Sequence, residues 1–227
     1  MRNEQEAMSF ADRILTEDLQ PLRQRLLTHP LWTGIEKGTL PRETLRVFAL
    51  QDWWLVREAY RLDALAIAGM PDLNLQDLLL AKLMPKLGGY RLLLRFGEAL
   101  GLSRADFDAV EPLAGCMALT TFFYWMLAYG SVPEKIAAVS ASEDLFIQIC
   151  ARIGPTLVRH YGMSAEQVAL FTVHEEIGQR VTPVDALLLA HYATPEDRQR
   201  ITRAVRLRHE FELLFYETVM AATRSET

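Results

Sequence analysis

Apolar residues recur along the chain at intervals of three and four, and no stretch alternates apolar with polar residues as a half-buried strand would. The pattern predicts helices throughout. Ser9–Leu27 places Phe10, Ile14, Leu15, Leu19, Leu22 and Leu26 on one face, with a kink expected at Pro21. Thr28-His29-Pro30 breaks it, and Trp32 and Ile35 pack the short turn that follows. A second helix opens at Gly38-Thr39-Leu40-Pro41 and runs to Ala68. The third spans Asp72–Leu87 and ends at Gly88-Gly89, and the fourth spans Tyr90–Leu100. Ser103 and Asp106 cap a short turn. Pro112–Tyr129 is apolar on most sides and so buried. Glu134–Tyr161 follows, with a bend expected at Gly154-Pro155. Ser164 and Gln167 form a capping box for Ser164–Tyr192, and Thr194-Pro195-Glu196-Asp197 starts a last helix that reaches Ala222. No linker, repeat or low-complexity segment interrupts the series, so residues 1–227 read as one all-α domain of seven or eight helices.

Four of the predicted apolar stripes carry an ionisable residue. Asp52 lies among Leu45, Phe48, Ala49, Leu55, Val56 and Ala59. Glu143 lies among Ile136, Val139, Phe146, Ile147 and Cys150. His174 has Leu170, Phe171, Ile177 and Gly178 one turn away, and Glu212 has Val205, Phe215, Tyr216 and Val219. A charge taken out of water is costly unless it is paired. Each of these alone also fits an edge position or a satisfied core group. Four on four helices point instead to an internal polar pocket, as bundle cores often house. Arg208 and His209 stand one turn before Glu212, and Tyr60 and Tyr216 are aromatic residues whose hydroxyls would need partners there. The helix that carries His174 offers Ile177, Gly178 and Val181 at the positions where a metal helix repeats its ligands. His174 is therefore either a core histidine bonded to something opposite or an acid–base group.

Composition narrows the classes. Of 227 residues, 50% are hydrophobic, enough for a sizeable core. The formal charge of −5 is spread without a basic block, which argues against nucleic-acid binding. No apolar run reaches membrane-spanning length and the N-terminus lacks an apolar signal core. Cys116 and Cys150 both sit in apolar surroundings, as buried thiols of a reducing cytoplasm would.

The order of features resembles the TenA/PqqC/CADD-like group of the heme-oxygenase-like fold. The resemblance runs from His29-Pro30, Gly38-Thr39-Leu40-Pro41, Phe48 and Gln51-Asp52 through Phe96–Leu102 and Gly130-Ser131 to Tyr161-Gly162, Phe171–His174 and Glu212–Tyr216. It implies a multi-helix bundle with an internal pocket, and members commonly associate, so a homo-oligomer, a dimer, is expected. By position, Asp52 is similar to the carboxylate that TenA enzymes direct at the substrate ring, and Glu212 to their C-terminal catalytic glutamate. The cysteine nucleophile of those enzymes would fall on Ser140-Ala141-Ser142, where there is none. A serine without a base is a poor substitute, which argues against thiaminase chemistry. Of the metal-oxidase pattern, Glu143 and His174 match. Gly178, Val181 and the Lys86–Tyr90 segment supply no acid or imidazole. Two ligands are too few for a metal pair. No metal and no cofactor are therefore expected, with Glu143 and His174 hydrogen-bonded to each other.

The function this implies is binding, and metal-free transformation, of a small flat polar ring compound in cofactor metabolism. His174, Glu143 and Glu212 would be the catalytic groups, and Asp52, Tyr60, Arg208, His209 and Tyr216 would bind the ring. Two other functions fit the same resemblance: a non-catalytic binding or regulatory homologue, and a divergent iron-dependent oxidase with ligands elsewhere in the chain.

Overall fold

A computed structural model describes residues 13, 17–140, 143–190 and 194–224, with the side chains of Pro85, Ser140, residues 175–184 and Leu187 excepted. Among the described residues there are twelve α-helical segments and no strand. They are α1 Gln20–Leu27, α2 Pro30–Glu36, α3 Arg42–Val56, α4 Ala59–Ala68, α5 Leu73–Leu83 and α6 Gly89–Ala99, then α7 Arg104–Ala109, α8 Ala114–Tyr129, α9 Val132–Lys135, α10 Asp144–Tyr161, α11 Ala169–Ala190 and α12 Pro195–Arg224. The expected all-α domain forms, with the segments more finely divided than seven or eight.

The divisions fall where the periodicity is silent. The helix expected to run unbroken to Ala68 separates at Arg57-Glu58 into α3 and α4. No glycine or proline marks the spot. Instead Arg57 lies 3.5 Å over the Trp54 ring, and Glu58 accepts hydrogen bonds from Tyr124 at 2.6 Å and Arg61 at 2.9 Å. The helix expected over Glu134–Tyr161 becomes α9, a π-helical turn Ile136–Ser140, and α10, which continues through Pro155. Asp72 caps α5 by accepting from the Leu75 amide, and a 3₁₀ turn Met84–Lys86 replaces the last turn expected before Gly88. Gly88 then takes φ +82°, a left-handed value that suits glycine, and α6 starts in a new direction. Pro21 sits in the first turn of α1, where its missing N–H costs nothing, so it starts a helix and does not kink one. Phe10, Ile14 and Leu15 lie outside the described residues. The Ser164–Gln167 box is present, with the Ser164 amide donating to Gln167 at 2.8 Å, but α11 itself begins at Ala169 after one turn. The Ser103–Asp106 box caps α7 as expected.

One apolar core joins these helices, with Trp32, Phe48, Phe96, Phe171 and Tyr216 among its largest fully buried side chains. Long α12 lies along α8 at close range. A Cβ added at Gly115 would stand 2.4 Å from Thr218 Oγ1 and 2.6 Å from the Leu214 carbonyl oxygen. The backbones approach closely because residue 115 has no side chain.

Gly115→Ala must push α8 off α12, so we expect a loss of about 1–3 kcal/mol in urea unfolding. Gly89→Ala, where an added Cβ meets nothing within 4 Å, should leave stability unchanged or slightly raised.

Candidate functional site

The four ionisable residues of the apolar stripes separate into two clusters. The first is built on α12, whose helical spacing sets Arg208, Glu212 and Tyr216 one above another. Glu212 is 5% exposed. Its Oε1 accepts from the Tyr216 hydroxyl at 2.6 Å and its Oε2 from Arg208 at 3.1 Å, with His209 Nδ1 at 3.7 Å. Burial pushes the Glu212 carboxyl up, but Arg208, His209 and the Tyr216 hydroxyl together outweigh it and bring its pKa down to about 2. Burial also lowers His209, and the imidazole is fully enclosed.

Asp52, half-buried on α3, faces the same charge. Burial first, and then Glu212, raise its pKa to about 7. Two neighbouring carboxyls are thus pushed apart: near neutral pH Glu212 is ionised, while Asp52 is about half protonated and becomes largely protonated only on the acid side. Such a split assigns acid and base roles to an otherwise symmetrical pair. Gln51, beside it, fixes the local backbone: its amide donates to the Glu111 carbonyl at 3.0 Å and its carbonyl accepts from the Leu113 amide at 2.7 Å. The Cys116 thiol donates to the Gln51 backbone carbonyl at 2.9 Å, and burial, then Asp52, push its pKa up to about 12, which keeps it a thiol at neutral pH. Aromatic rings wall the cluster. Trp32 meets Tyr216 edge-on at 4.8 Å and Phe48 at 5.3 Å, and His29 lies 5.6 Å from Tyr216. The buried Trp32 Nε1–H has no hydrogen-bond partner among the described residues.

The second cluster holds Glu143 and His174 together with four residues not singled out as site residues from the sequence: Lys82, Lys86, Asp185 and Asp63. Lys82 on α5 is 2% exposed, and its ammonium donates to both oxygens of Asp185 on α11, at 2.7 and 2.8 Å. Glu143, at the start of α10, accepts a hydrogen bond from Lys86, with Lys82 at 3.9 Å. Burial pushes Glu143 up, yet Lys86, Lys82 and His174 lower its pKa to about 2. Asp63 on α4, beside a cavity of about 10 Å³, is raised to about 6 by burial, against the pull of Lys86. The expected Glu143–His174 hydrogen bond is replaced. Lys86 takes the carboxylate, and His174 Nδ1 lies 2.6 Å from the Leu170 carbonyl. Only an N–H satisfies a carbonyl, so this bond puts the proton on Nδ1 and makes Nε2 the acceptor. Burial lowers the His174 pKa, with Glu143 opposing. The ring packs edge-on to Phe146 at 5.2 Å.

The single shared pocket expected from the sequence is therefore two polar clusters joined by rings, His174 to Phe146 to Trp32 to Tyr216. Tyr60 joins neither cluster through a described contact, packing edge-on to Tyr90 at 6.4 Å. It is 48% exposed and its hydroxyl accepts from the Gly88 amide at 2.7 Å, so burial gives it no need of a ligand. Ser140-Ala141-Ser142 fall outside the described side chains. Among the described residues the second cluster does not offer the ligands of a metal pair. Its carboxylates Glu143 and Asp185 are each engaged by an ammonium, and among the described residues no three His, Cys, Asp or Glu converge as ligands. From the sequence, Lys82 and Lys86 at a spacing of four look like a solvated face; Asp185 carried no signal beyond being an acid in an apolar stretch.

The model of the TENA/THI-4/PQQC family matches residues 16–222. The chain belongs to that family. Over 207 residues it is 28% identical to a 4-aminobenzoate synthase of Chlamydia muridarum, covering 88% of this chain and 85% of that one. Over 136 residues it is 32% identical to an aminopyrimidine aminohydrolase of Halalkalibacterium halodurans, covering 58% and 59% of the two chains. A domain with a heme oxygenase-like fold from Shewanella denitrificans superposes with a TM-score of 0.80 at 14% identity, covering 92% and 91%. The TENA/THI-4/PQQC bundle is thus of the heme-oxygenase-like fold. No helix among the described residues is long and apolar enough to cross a membrane.

The opposed carboxyls give this family member a distinctive pH dependence. Asp52 titrates at about 7 in the folded chain against 3.8 ordinarily. The stability it lends is complete below pH 4 and is lost as pH rises through 7. Asp52→Asn, neutral at every pH, should flatten that loss, so its melting temperature should exceed that of the unsubstituted chain at pH 8 but not at pH 4.

Proposed function

We propose that the chain binds an amino-substituted, flat six-membered ring and moves protons on it, without metal, between Asp52 and Glu212. The observation that carries this reading is the pair of carboxyls held at about 7 and about 2 beside a wall of aromatic rings. A protonated Asp52 donates to a ring nitrogen or polar substituent, and an ionised Glu212 accepts from an amine. Tyr216 and Arg208 keep the Glu212 carboxylate oriented, and His209 adds to the positive field that keeps it ionised. The ring stacks or edges against Trp32 and Phe48. Relatives are named for 4-aminobenzoate and for an aminopyrimidine, each an aminated six-membered ring, which supports that ligand class. Glu143 and His174 form a separate site, with His174 a neutral acceptor at Nε2.

Calorimetric titration with 4-aminobenzoate and a panel of aminopyrimidines, followed by chromatography of the mixtures, tests the reading. Micromolar binding of at least one ring is expected, weakened by about 10- to 100-fold in Glu212→Gln, which removes a charged acceptor. Binding without turnover would select the non-catalytic homologue. No binding across the panel would overturn the proposal.

We also propose a homodimer and a cytoplasmic location. The exposed stripe of Met117, Trp125 and Tyr129 on α8, with Leu214 of α12 beside it, supports the dimer, and two buried free thiols, Cys116 and Cys150, support the location. Sedimentation should give a dimer that Trp125→Glu dissociates; a monomer before substitution would reject it.

A further inference from the structure

The lysine pair has a role the ring-binding site does not use. Five charged side chains and an imidazole converge here from α4, α5, the Met84–Lys86 turn, the start of α10, and α11. Lys82 is almost wholly buried. A lysine stem is normally placed so that its ammonium reaches water, because an ammonium is strongly hydrated. Here it is turned inward, onto both oxygens of Asp185 and within 3.9 Å of Glu143. Lys86 completes the arrangement from the solvent side, on the same Glu143 oxygen. The carboxylates thus meet two fixed positive charges, at the place where the oxidase pattern puts its Glu143 and His174 ligands.

We propose that Lys82 and Lys86 are permanent stand-ins for a divalent cation, and that they make this cluster reject Fe²⁺ and Mn²⁺ while preserving its acidic frame. An incoming ion would have to displace Lys86 from Glu143 and approach a buried Lys82 whose stem holds it in place. Among the described residues it would gain one imidazole acceptor, His174 Nε2, in exchange. The ammonium charges do for the fold what a metal does: they compensate carboxylates gathered from several helices. They do not supply a Lewis acid or a redox centre. Charge sign at two lysines, more than the number of acids nearby, therefore decides whether a metal enters.

The proposal rests on the metal-free part of the reading above. Its test leaves ring binding at Asp52 and Glu212 untouched, so either can fail alone. The full chain is titrated with Mn²⁺, read by electron paramagnetic resonance and by thermal melting. The unsubstituted protein should show no saturable Mn²⁺ binding at micromolar concentrations and no shift in melting temperature. Lys86→Glu, at a partly exposed turn, replaces an ammonium with a carboxylate, a third ligand beside the Glu143 carboxylate and the His174 imidazole. It should bind about one Mn²⁺ per chain, at least about tenfold tighter than the unsubstituted protein, and lose that gain when His174→Ala is added. Its melting temperature should rise with Mn²⁺. Should Lys86→Glu not fold, Lys86→Gln serves, with a smaller gain in Mn²⁺ affinity expected. Stoichiometric Mn²⁺ on the unsubstituted chain overturns the proposal whatever the variants do. So does a folded variant with no gain in Mn²⁺ affinity.

Discussion

The site depends on keeping one carboxylate charged inside an apolar bundle. Glu212 is enclosed by α12's own turns and by the aromatic layer around Trp32, and burial alone would protonate it. Arg208 and Tyr216, one turn before it and one turn after, prevent that. Among the described residues its partner Asp52 gains no such donors, and burial and the Glu212 charge raise its pKa instead. The chemistry attributed to the site follows from that asymmetry, which in turn follows from helical spacing: positions 208, 212 and 216 share a face, and all three are polar. The same spacing holds Tyr216 against Trp32, so the group that polarises Glu212 is also part of the wall.

A second solution to the same problem operates in the other cluster. There the counter-charges come from distant elements, Lys82 to Asp185 across 103 residues of chain and Lys86 to Glu143 across 57. Long-range pairing of this kind ties α5 to α11 and the Met84–Lys86 turn to α10. It gives buried charge a part in fixing how those segments meet, alongside the apolar core.

How far the sequence foretold this differs between levels. Helical periodicity and the capping boxes at Ser103 and Ser164 are local signals, and they placed the helices. The division at Arg57-Glu58 left no trace because it depends on Tyr124 from another helix reaching Glu58. The π-helical turn at Ile136–Ser140 likewise breaks no local rule; its alanines are good helix formers packed into the core. Asp52, Glu143, His174 and Glu212 were visible as polar residues out of place on apolar stripes. Lys82 was not, since a lysine on a helix surface looks ordinary until α11 covers it. Pairing Glu143 with His174 was the natural reading of two isolated polar residues. It missed Lys86, which reaches the carboxylate first, and the Leu170 carbonyl one turn back along α11, which claims the imidazole proton.

The rings between the clusters have a further consequence. Phe146 and Trp32 are apolar spacers, and no hydrogen bond runs through them from His174 to Tyr216 among the described residues. Changes on one side are therefore insulated from the other, and their effects should combine additively, as for sites without a shared partner. A bundle built this way can exchange the groups of one cluster, swapping ammonium for metal or acid for base, while the other keeps its own arrangement. That modularity offers a physical route by which one fold diversifies its chemistry through substitution without rebuilding its frame.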